Sequence, residues 1–303
     1  MDYQDLQFEH FHEHAHTDKY RATLKKFDSS LTDEKAAKAV KSLLDVHYAE
    51  NFTPAVLKHI HGCIDITTLN TVDTRETVWN LVEKKVNDYE GSRPDVPNIA
   101  AICVCPNFVE TVKQALTAAD VKIASVAGGF PLSQTFTEVK IAETAMAVMN
   151  GAEEIDIVMN LGYFFEEDYE ALADEISEIK ESCRGATLKV ILETGALKTA
   201  ENIRKAAILA LYSGADFIKS STGKDYPGAT PEAIYVMCRV LKEYVSKTGI
   251  KAGIKVSGGI RTPEDAVRYY TIVKETLGLE YTDKSHFRIG ASSLLDALEK
   301  AIV

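Results

Sequence analysis

The chain has 303 residues, of which 34 are Lys or Arg and 45 are Asp or Glu, so its formal net charge is −11. With 46% hydrophobic residues it has the composition of a globular protein, which excludes disorder, collagen and a coiled coil. No stretch reaches the roughly 18 uninterrupted apolar residues of a membrane span, and the start of the chain lacks the basic and apolar regions of a signal peptide. We therefore expect a cytoplasmic protein. The acidic balance, without a long Lys/Arg run, argues against nucleic acid as a partner.

Cysteine and histidine usage restricts the chemistry. The five cysteines are odd in number and contain no C-x-x-C pair, so neither a disulfide framework nor a zinc knuckle is indicated. No histidine lies between Gly62 and Ser285, which excludes a Ser-His-Asp mechanism or a histidine-built metal site in that span. A histidine-rich start could bind a metal opportunistically, and its role is left open; its histidines are His10, His12, His14 and His16.

The first part of the chain is polar and helical in pattern. Apolar residues recur at helical spacing from Ala36 to Leu44, and Asn51 ends the run. Residues 1–61 are therefore predicted to form a helical extension that packs on the domain that follows.

From residue 62 the pattern changes to short apolar, β-branched runs separated by amphipathic segments. The runs are CIDIT at 63–67, AAICVC at 100–105, KIASVA at 122–127, EIDIVMN at 154–160, LKVILET at 188–194, DFIKSS at 216–221, AGIKVS at 252–257 and FRIGAS at 287–292. Continuous apolar strands are typical of a parallel sheet that helices cover on both faces. Eight such units over about 240 residues match a (β/α)₈ barrel in number and size.

An open doubly wound sheet is the alternative fold. A dinucleotide-binding sheet carries G-x-G-x-x-G after its first strand, whereas the turn after Ile66 contains no glycine. The sequence therefore predicts an α/β TIM barrel over 62–303 behind the N-terminal helical extension.

Two strand lysines indicate covalent chemistry. Lys219 and Lys255 lie in consecutive apolar strands, where an ammonium is costly to bury without a partner or a task. At a separation of ~5 Å and an effective dielectric of ~20, their charges would repel by ~3 kcal/mol, which lowers the pKa of one of them. A neutral lysine can attack a carbonyl and form a Schiff base. The alternative is that each lysine forms a plain ion pair with a carboxylate such as Asp156 or Glu193.

Three further side chains are expected near these lysines. Asp156 alternates with apolar neighbours, should point into the barrel, and could hold Lys255 charged and move protons through a water. A plain ion pair is the alternative for Asp156. For Asp65, a contact with a ligand hydroxyl and a structural helix cap are equally open. Cys103 is predicted to pack as a small apolar residue.

The loops after the sixth, seventh and eighth strands indicate an anion site. Barrels commonly hold a phosphate there on backbone N–H groups and a helix amino terminus. An ordinary tight turn is the alternative for any one of these loops. The residues concerned are Gly223, Lys224, Gly258, Gly259, Ser292 and Ser293.

Seven segments of the predicted barrel carry recognisable motifs. They are CIDITTLN (63–70), AAICVCP (100–106), EIDIVMN (154–160), LKVILETGAL (188–197), ADFIKSSTGK (215–224), IKVSGGIRT (254–262) and RIGASSLL (288–295). In this order they resemble the 2-deoxyribose-5-phosphate aldolase family, class I aldolases with a (β/α)₈ barrel. The resemblance runs from about residue 62 to about residue 298, and its ADFIKSSTGK block is highly specific.

The resemblance implies a role for each matched residue. The Schiff-base lysine falls on Lys219, the second, pKa-lowering lysine on Lys255 and the proton-relay aspartate on Asp156. The implied substrate-binding residues are Asp65, Thr67, Leu69, Cys103, Thr222, Gly223, Lys224, Gly258, Gly259, Ser292 and Ser293. No metal and no organic cofactor is implied. The proton donor stays open, because the tyrosine-ended tail of some members has no counterpart before Val303.

The implied activity is a lyase reaction. It is the reversible cleavage of 2-deoxy-D-ribose 5-phosphate to D-glyceraldehyde 3-phosphate and acetaldehyde through a lysine Schiff base. Two alternatives stay open, namely another class I phosphosugar aldolase or transaldolase-like enzyme, and a catalytically silent phosphosugar-binding barrel. The expected partners are small phosphosugars and aldehydes, with no nucleic acid and no membrane. The sequence leaves open whether the chain forms a homodimer.

Overall fold

Eight parallel strands close into a barrel in the computed structural model, which describes residues 19–90 and 95–302. The strands are β1 (Ile64–Thr67), β2 (Ala101–Val104), β3 (Lys122–Val126), β4 (Glu154–Val158), β5 (Thr187–Ile191), β6 (Phe217–Lys219), β7 (Gly253–Ser257) and β8 (Phe287–Ala291). Each strand pairs with the next along the chain, and β8 pairs with β1. The predicted (β/α)₈ barrel is confirmed, and each strand coincides with one predicted apolar run, although β5 begins one residue before its run.

Helices alternate with the strands and cover the outside of the barrel. They are α1 (Lys19–Leu24), α2 (Asp33–Asn51), α3 (Pro54–His61), α4 (Arg75–Val82), α5 (Val109–Ala115), α6 (Thr137–Asn150), α7 (Leu161–Phe165), α8 (Tyr169–Ser182), α9 (Thr194–Leu197), α10 (Ala200–Tyr212), α11 (Pro231–Thr248), α12 (Pro263–Leu277) and α13 (Leu294–Ala301). A π-helical turn at Glu83–Asn87 and 3₁₀ turns at Pro106–Phe108 and Leu279–Tyr281 complete the helical segments. Within the two described ranges, no helix combines the length and apolar character that a membrane crossing needs.

Threonine hydroxyls begin most of the long helices. Each accepts a hydrogen bond from a backbone N–H in the first turn, which would otherwise lack a partner. Proline follows the cap in α3, α11 and α12, where its missing N–H costs nothing. The capping residues are Thr32, Thr53, Thr74, Thr199, Thr230 and Thr262.

Helix α5 ends earlier than its sequence suggests. The pattern from Glu110 predicts a helix to Ala119, but the helix stops at Ala115. The side chain of Asn87 is the cause, because its Oδ1 accepts the N–H groups of Thr117 and Ala118 at 3.0 and 3.2 Å and draws them away from the helical path. A tertiary contact therefore overrides local helix propensity here.

Helices α1 to α3 precede the first strand and pack against barrel helices. Helix α2 lies against α11 and α12, and α3 lies against α12 and α13. The carboxylate of Asp33 accepts the N–H of Ala200 at 2.6 Å, at the start of α10. The histidine-rich start lies outside the described residues. The division into an extension over 1–61 and a barrel over 62–303 stays a prediction.

The inside of the barrel has an apolar side and a charged side. Small apolar side chains of β2 and β3 form a buried cluster of Ala101, Cys103, Ala124 and Val126. The inward positions of β1 and of β4 to β8 carry ionisable side chains that are buried. The candidate site lies on this charged side.

Gly253 makes room for the Phe217 ring at the amino end of the barrel. A Cβ atom on Gly253 would lie 2.2 Å from Cε1 of that ring, which is less than a van der Waals contact. We expect Gly253→Ala to lower the free energy of unfolding by about 1–3 kcal/mol through overpacking. Urea denaturation measures this as a lower midpoint. The loss should shrink in the Phe217→Leu background, and an unchanged midpoint in the single variant would contradict the packing argument.

Candidate active site

Three lysines from consecutive strands bind one aspartate inside the barrel. Lys189 Nζ of β5 lies 2.9 Å from Oδ1 of Asp156 in β4, and the Nζ atoms of Lys219 and Lys255 each lie 2.8 Å from its Oδ2. Strand register pairs Asp156 with Lys189 and Lys219 with Lys255, so these side chains leave the sheet at matching heights. Since Lys219 and Lys255 share one oxygen, their nitrogens are separated by no more than twice that contact length.

Two more carboxylates and an arginine complete the group. Asp65 Oδ2 lies 2.6 Å from Lys255 Nζ, and Glu154 Oε2 lies 2.6 Å from Lys189 Nζ. The guanidinium of Arg288 bridges the two carboxylates, donating to Asp65 at 2.7 Å and to Glu154 at 2.8 Å. We call these residues the interior charge cluster: Asp65, Glu154, Asp156, Lys189, Lys219, Lys255 and Arg288.

The interior charge cluster holds four cations against three carboxylates. One positive charge therefore has no counter-charge within it if all four are protonated. Lys255, Lys189 and Arg288 each contact at least two of the carboxylates. Lys219 contacts only Asp156. Its proton is therefore held least strongly of the four.

The pKa values follow this imbalance. Burial lowers the pKa of Lys219, attraction to Asp156 opposes this, and the Lys255 charge lowers the pKa further, so it lies below its ordinary value. Burial also acts to lower the pKa of Lys255, but attraction to Asp156 and Asp65 outweighs it and raises this pKa. Burial alone would raise the pKa of Asp156, yet the three lysines hold it well below its usual range. Among the four cations of the cluster, Lys219 is thus the one whose pKa is lowered, and it loses its proton most readily.

A cavity of about 250 Å³ opens at the carboxyl ends of β6, β7, β8 and β1. Lys219 is 3% exposed and is the one member of the interior charge cluster that lines this cavity. The lysine of lowered pKa therefore faces a space where a small molecule fits. The sequence-predicted residues on this cavity are Thr67, Leu69, Lys219, Thr222, Gly223, Lys224, Gly258, Gly259, Ser292 and Ser293.

Four predicted site residues do not line the cavity. Asp156 and Lys255 lie buried behind Lys219 in the interior charge cluster, and Asp65 is paired with Lys255 and Arg288. Cys103 packs in the apolar cluster of β2 and β3, where burial raises the pKa of its thiol to about 11. A direct contact of Asp65 or Cys103 with a bound molecule stays a prediction.

Glu193 positions the loop after β6. Its backbone has a φ of 56°, an uncommon left-handed conformation, and its buried carboxylate accepts the hydroxyl of Thr222 at 2.5 Å. The Thr222 N–H also points to this carboxylate, at 3.3 Å. Two residues further on, Lys224 Nζ donates to the carbonyl of Leu69 at 2.6 Å. Glu193 thereby fixes the segment that brings an exposed ammonium to the cavity rim.

The rim also offers backbone donors. Gly258 and Gly259 have φ values of 92° and 81°, and a Cβ on Gly258 would lie 2.7 Å from the Cα of Gly228. Only glycine allows this close approach of two loops. Ser292 and Ser293 precede α13, whose first N–H groups have no partner within the helix. The arrangement can hold an anion at the cavity rim.

Sequence reasoning did not assign several residues of the site. Lys189 carried the same signal as the other two strand lysines, which is a cation inside an apolar run. Glu154 lies two residues before Asp156 and therefore on the same face of β4. Arg288 lies in the last strand, and only closure of β8 onto β1 brings it to Asp65. Arg261, also unassigned, lines the cavity after the second glycine loop.

Comparison with known proteins identifies the family. The model of the DeoC/LacD family aldolases matches residues 62–300. The chain belongs to this family. It is therefore an aldolase, a lyase that performs aldol cleavage, and the resemblance found in the motifs is confirmed.

Its relatives share most of their length with it. The chain is 40% identical to human deoxyribose-phosphate aldolase over 248 residues, which are 79% of this chain and 78% of the human one. Identity to the bovine enzyme is also 40%, over 249 residues and the same shares. The tetrameric deoxyribose phosphate aldolase from Aeropyrum pernix is a structural neighbour, with a TM-score of 0.64 and 28% identity, covering 87% of this chain and 97% of the other.

The charge of Lys255 should control the protonation of Lys219. We expect Lys255→Met to raise the pKa of Lys219, because a repelling charge is lost while Asp156 remains. Reductive alkylation of Lys219 by an aldehyde, followed across pH by peptide mass mapping, should therefore need a higher pH than in the unaltered protein. Lys41→Met, on the exposed face of α2, is the matched control. An identical profile in both variants would contradict the electrostatic account.

Proposed function

We propose that this aldolase is a deoxyribose-phosphate aldolase that cleaves 2-deoxy-D-ribose 5-phosphate through an imine on Lys219. One observation carries the mechanism: the lysine of lowered pKa is also the one ionisable group of the interior charge cluster that lines the cavity. The human and bovine relatives that bear this activity's name support the choice of substrate.

The cavity suits a sugar phosphate because its two ends differ. At the deep end lies the nearly buried amine of Lys219, beside the apolar cluster of β2 and β3. At the exposed rim lie Lys224, Arg261 and the glycine loops, which attract a phosphate. An aldehyde at one end of a substrate and a phosphate at the other match this polarity.

The reaction begins at the Lys219 nitrogen. The neutral amine attacks C1 of the open-chain sugar and forms a carbinolamine, whose hydroxyl leaves as water. Lys255, which stays protonated beside Asp156, is the proposed proton source for that departure. The resulting imine nitrogen carries a positive charge next to the Asp156 carboxylate, which stabilises it.

Cleavage follows from the charge on the imine. When the 3-hydroxyl loses its proton, the C2–C3 bond breaks, its electron pair moves toward the imine, and C3 leaves as the aldehyde of glyceraldehyde 3-phosphate. The enamine that remains takes a proton at C2, and hydrolysis of the new imine releases acetaldehyde and restores Lys219. Because the imine serves as the electron sink, the proposed reaction uses no metal and no organic cofactor.

The cellular setting stays at the level of prediction. A cytoplasmic location, expected from the sequence, agrees with small phosphosugar and aldehyde substrates. The sequence leaves the oligomeric state open, with a homodimer as one alternative. The related enzyme from Aeropyrum pernix is a tetramer.

Imine formation can be trapped directly. We expect borohydride reduction in the presence of acetaldehyde to leave one ethyl group on Lys219, because the imine carbon is reduced in place. Peptide mass mapping locates the adduct. Lys219→Arg should give no adduct, whereas Lys41→Arg, on the exposed face of α2, should be labelled normally. An unmodified Lys219 would overturn the proposed mechanism, and turnover without acetaldehyde as product would favour another class I phosphosugar aldolase.

The phosphate end can be tested separately from the chemistry. We expect Lys224→Gln to raise KM for 2-deoxy-D-ribose 5-phosphate by roughly 10–100-fold, the effect of one lost charge-assisted hydrogen bond. The kcat/KM for unphosphorylated 2-deoxy-D-ribose should change little. Steady-state kinetics with both sugars measure the difference, and Lys41→Gln serves as the control. Equal losses for both sugars would place Lys224 in a role other than phosphate binding.

A further inference from the structure

Arg204 of α10 is buried without an ion pair in the described part of the chain, and Glu201 in the preceding turn pairs with Lys205 at 2.7 Å instead. Arg204 is 8% exposed, and its hydrogen bond is a long one of 3.4 Å from Nη1 to the carbonyl of Leu24. Across residues 19–90 and 95–302 it forms no ion pair, although a guanidinium offers five N–H donors. Burying a charge without a counter-charge is costly. An anion at this position would offset that cost.

A cavity of about 350 Å³ lies beside this arginine, between the segment joining α1 to α2 and helices α10 and α11. Its volume is in the range of small-molecule pockets. Leu31, Val236 and Val240 contribute apolar surface to its walls. The cavity therefore combines a buried cation with room for an apolar group.

Two more cations lie on the same cavity. Arg239 and Lys242 of α11 line it together with Arg204. The guanidinium of Arg239 lies 4.0 Å from Asp28, which is too long for a hydrogen bond. Its Nη1 donates to the hydroxyl of Tyr235 at 3.2 Å, and its remaining N–H donors can turn toward a ligand.

The acidic groups of the cavity are already engaged. Asp28 accepts the N–H of Ser30 at 2.8 Å. Glu243 pairs with Lys247 at 3.2 Å and accepts the N–H of Asp28 at 3.1 Å. Lys242 is engaged as well, because its ammonium donates to the carbonyl of Thr276 at 3.0 Å. The charged groups of the cavity that keep donors for a ligand are therefore the guanidinium groups of Arg204 and Arg239.

We propose that this cavity binds a small organic anion, with its phosphate or carboxylate on Arg204 and Arg239 and a short apolar body against Leu31, Val236 and Val240. The site is separate from the aldolase cavity, which shares none of these residues. Recognition rests on two guanidinium groups, whose planar donors suit an oxyanion in a bidentate arrangement. The proposal does not depend on the proposed substrate of the aldolase.

Arg204 also borders a second cavity, of about 420 Å³, which Lys25 lines as well. That cavity provides the sharpest control. If the anion lay there, Lys25 would contribute to binding and Arg239 would not. Paired variants of these two residues therefore distinguish the proposed site from its neighbour.

The test is isothermal titration of the full chain with inorganic phosphate and, separately, with pentanoate. We expect Arg204→Gln and Arg239→Gln to weaken one binding event by roughly 10-fold or more, as for a lost charge-assisted hydrogen bond. The same event should persist in Lys224→Gln, which affects the aldolase rim, and in Lys25→Gln and the exposed Arg75→Gln. Aldol cleavage should be unchanged in the Arg204 and Arg239 variants.

The outcomes separate clearly. Binding of phosphate alone identifies a phosphate ester as the ligand, and binding of pentanoate alone identifies a carboxylate. Binding of neither probe, an unaltered event in Arg239→Gln, or a loss in Lys25→Gln would overturn the proposal. The side chain of Arg239 is 44% exposed, so we expect Arg239→Gln to fold. This variant therefore tests the proposal even if Arg204→Gln fails to fold.

Discussion

The shared carboxylate of Asp156 is the interaction on which the site depends. It is buried, and it is the only carboxylate that Lys219 contacts in the interior charge cluster. Lys255 and Lys189 also form ion pairs with this carboxylate, so its negative charge is shared among three ammonium groups. Among buried cations, one whose single carboxylate partner is shared with other cations loses its proton most easily. The excess of positive charge in the interior charge cluster thus favours the loss of a proton from Lys219.

The architecture makes this cluster possible. Parallel strands in a closed barrel bring inward side chains of neighbouring strands to similar heights, so register alone places Lys219 beside Lys255. Gly290 of β8 leaves space for the second lysine, since a Cβ there would lie 3.0 Å from Lys255 Cε. The apolar side chains of β2 and β3 close the other half of the interior. Because these side chains are buried, their charges interact strongly over these distances.

Charge pairing also matters at α10, where the segment before the barrel packs against the barrel helices. Asp33 places a carboxylate on the amino terminus of α10, where the helix dipole and an unpaired N–H both favour an anion. One turn further along the same helix, Arg204 lacks such a partner. The chain supplies a carboxylate for the amino terminus of α10 but none for Arg204. We therefore expect a small anion from solution to bind at Arg204.

The sequence by itself determined the eight strands, because continuous apolar runs stand out between amphipathic helices, and it singled out Lys219 and Lys255 as cations in apolar surroundings. It could not show that Lys189 and Arg288 join the same cluster, since β8 meets β1 only when the barrel closes. Which lysine has the lowered pKa was also decided by tertiary structure. That depends on how many carboxylates lie within reach of each ammonium, a count set by three-dimensional contacts between strands far apart in the chain.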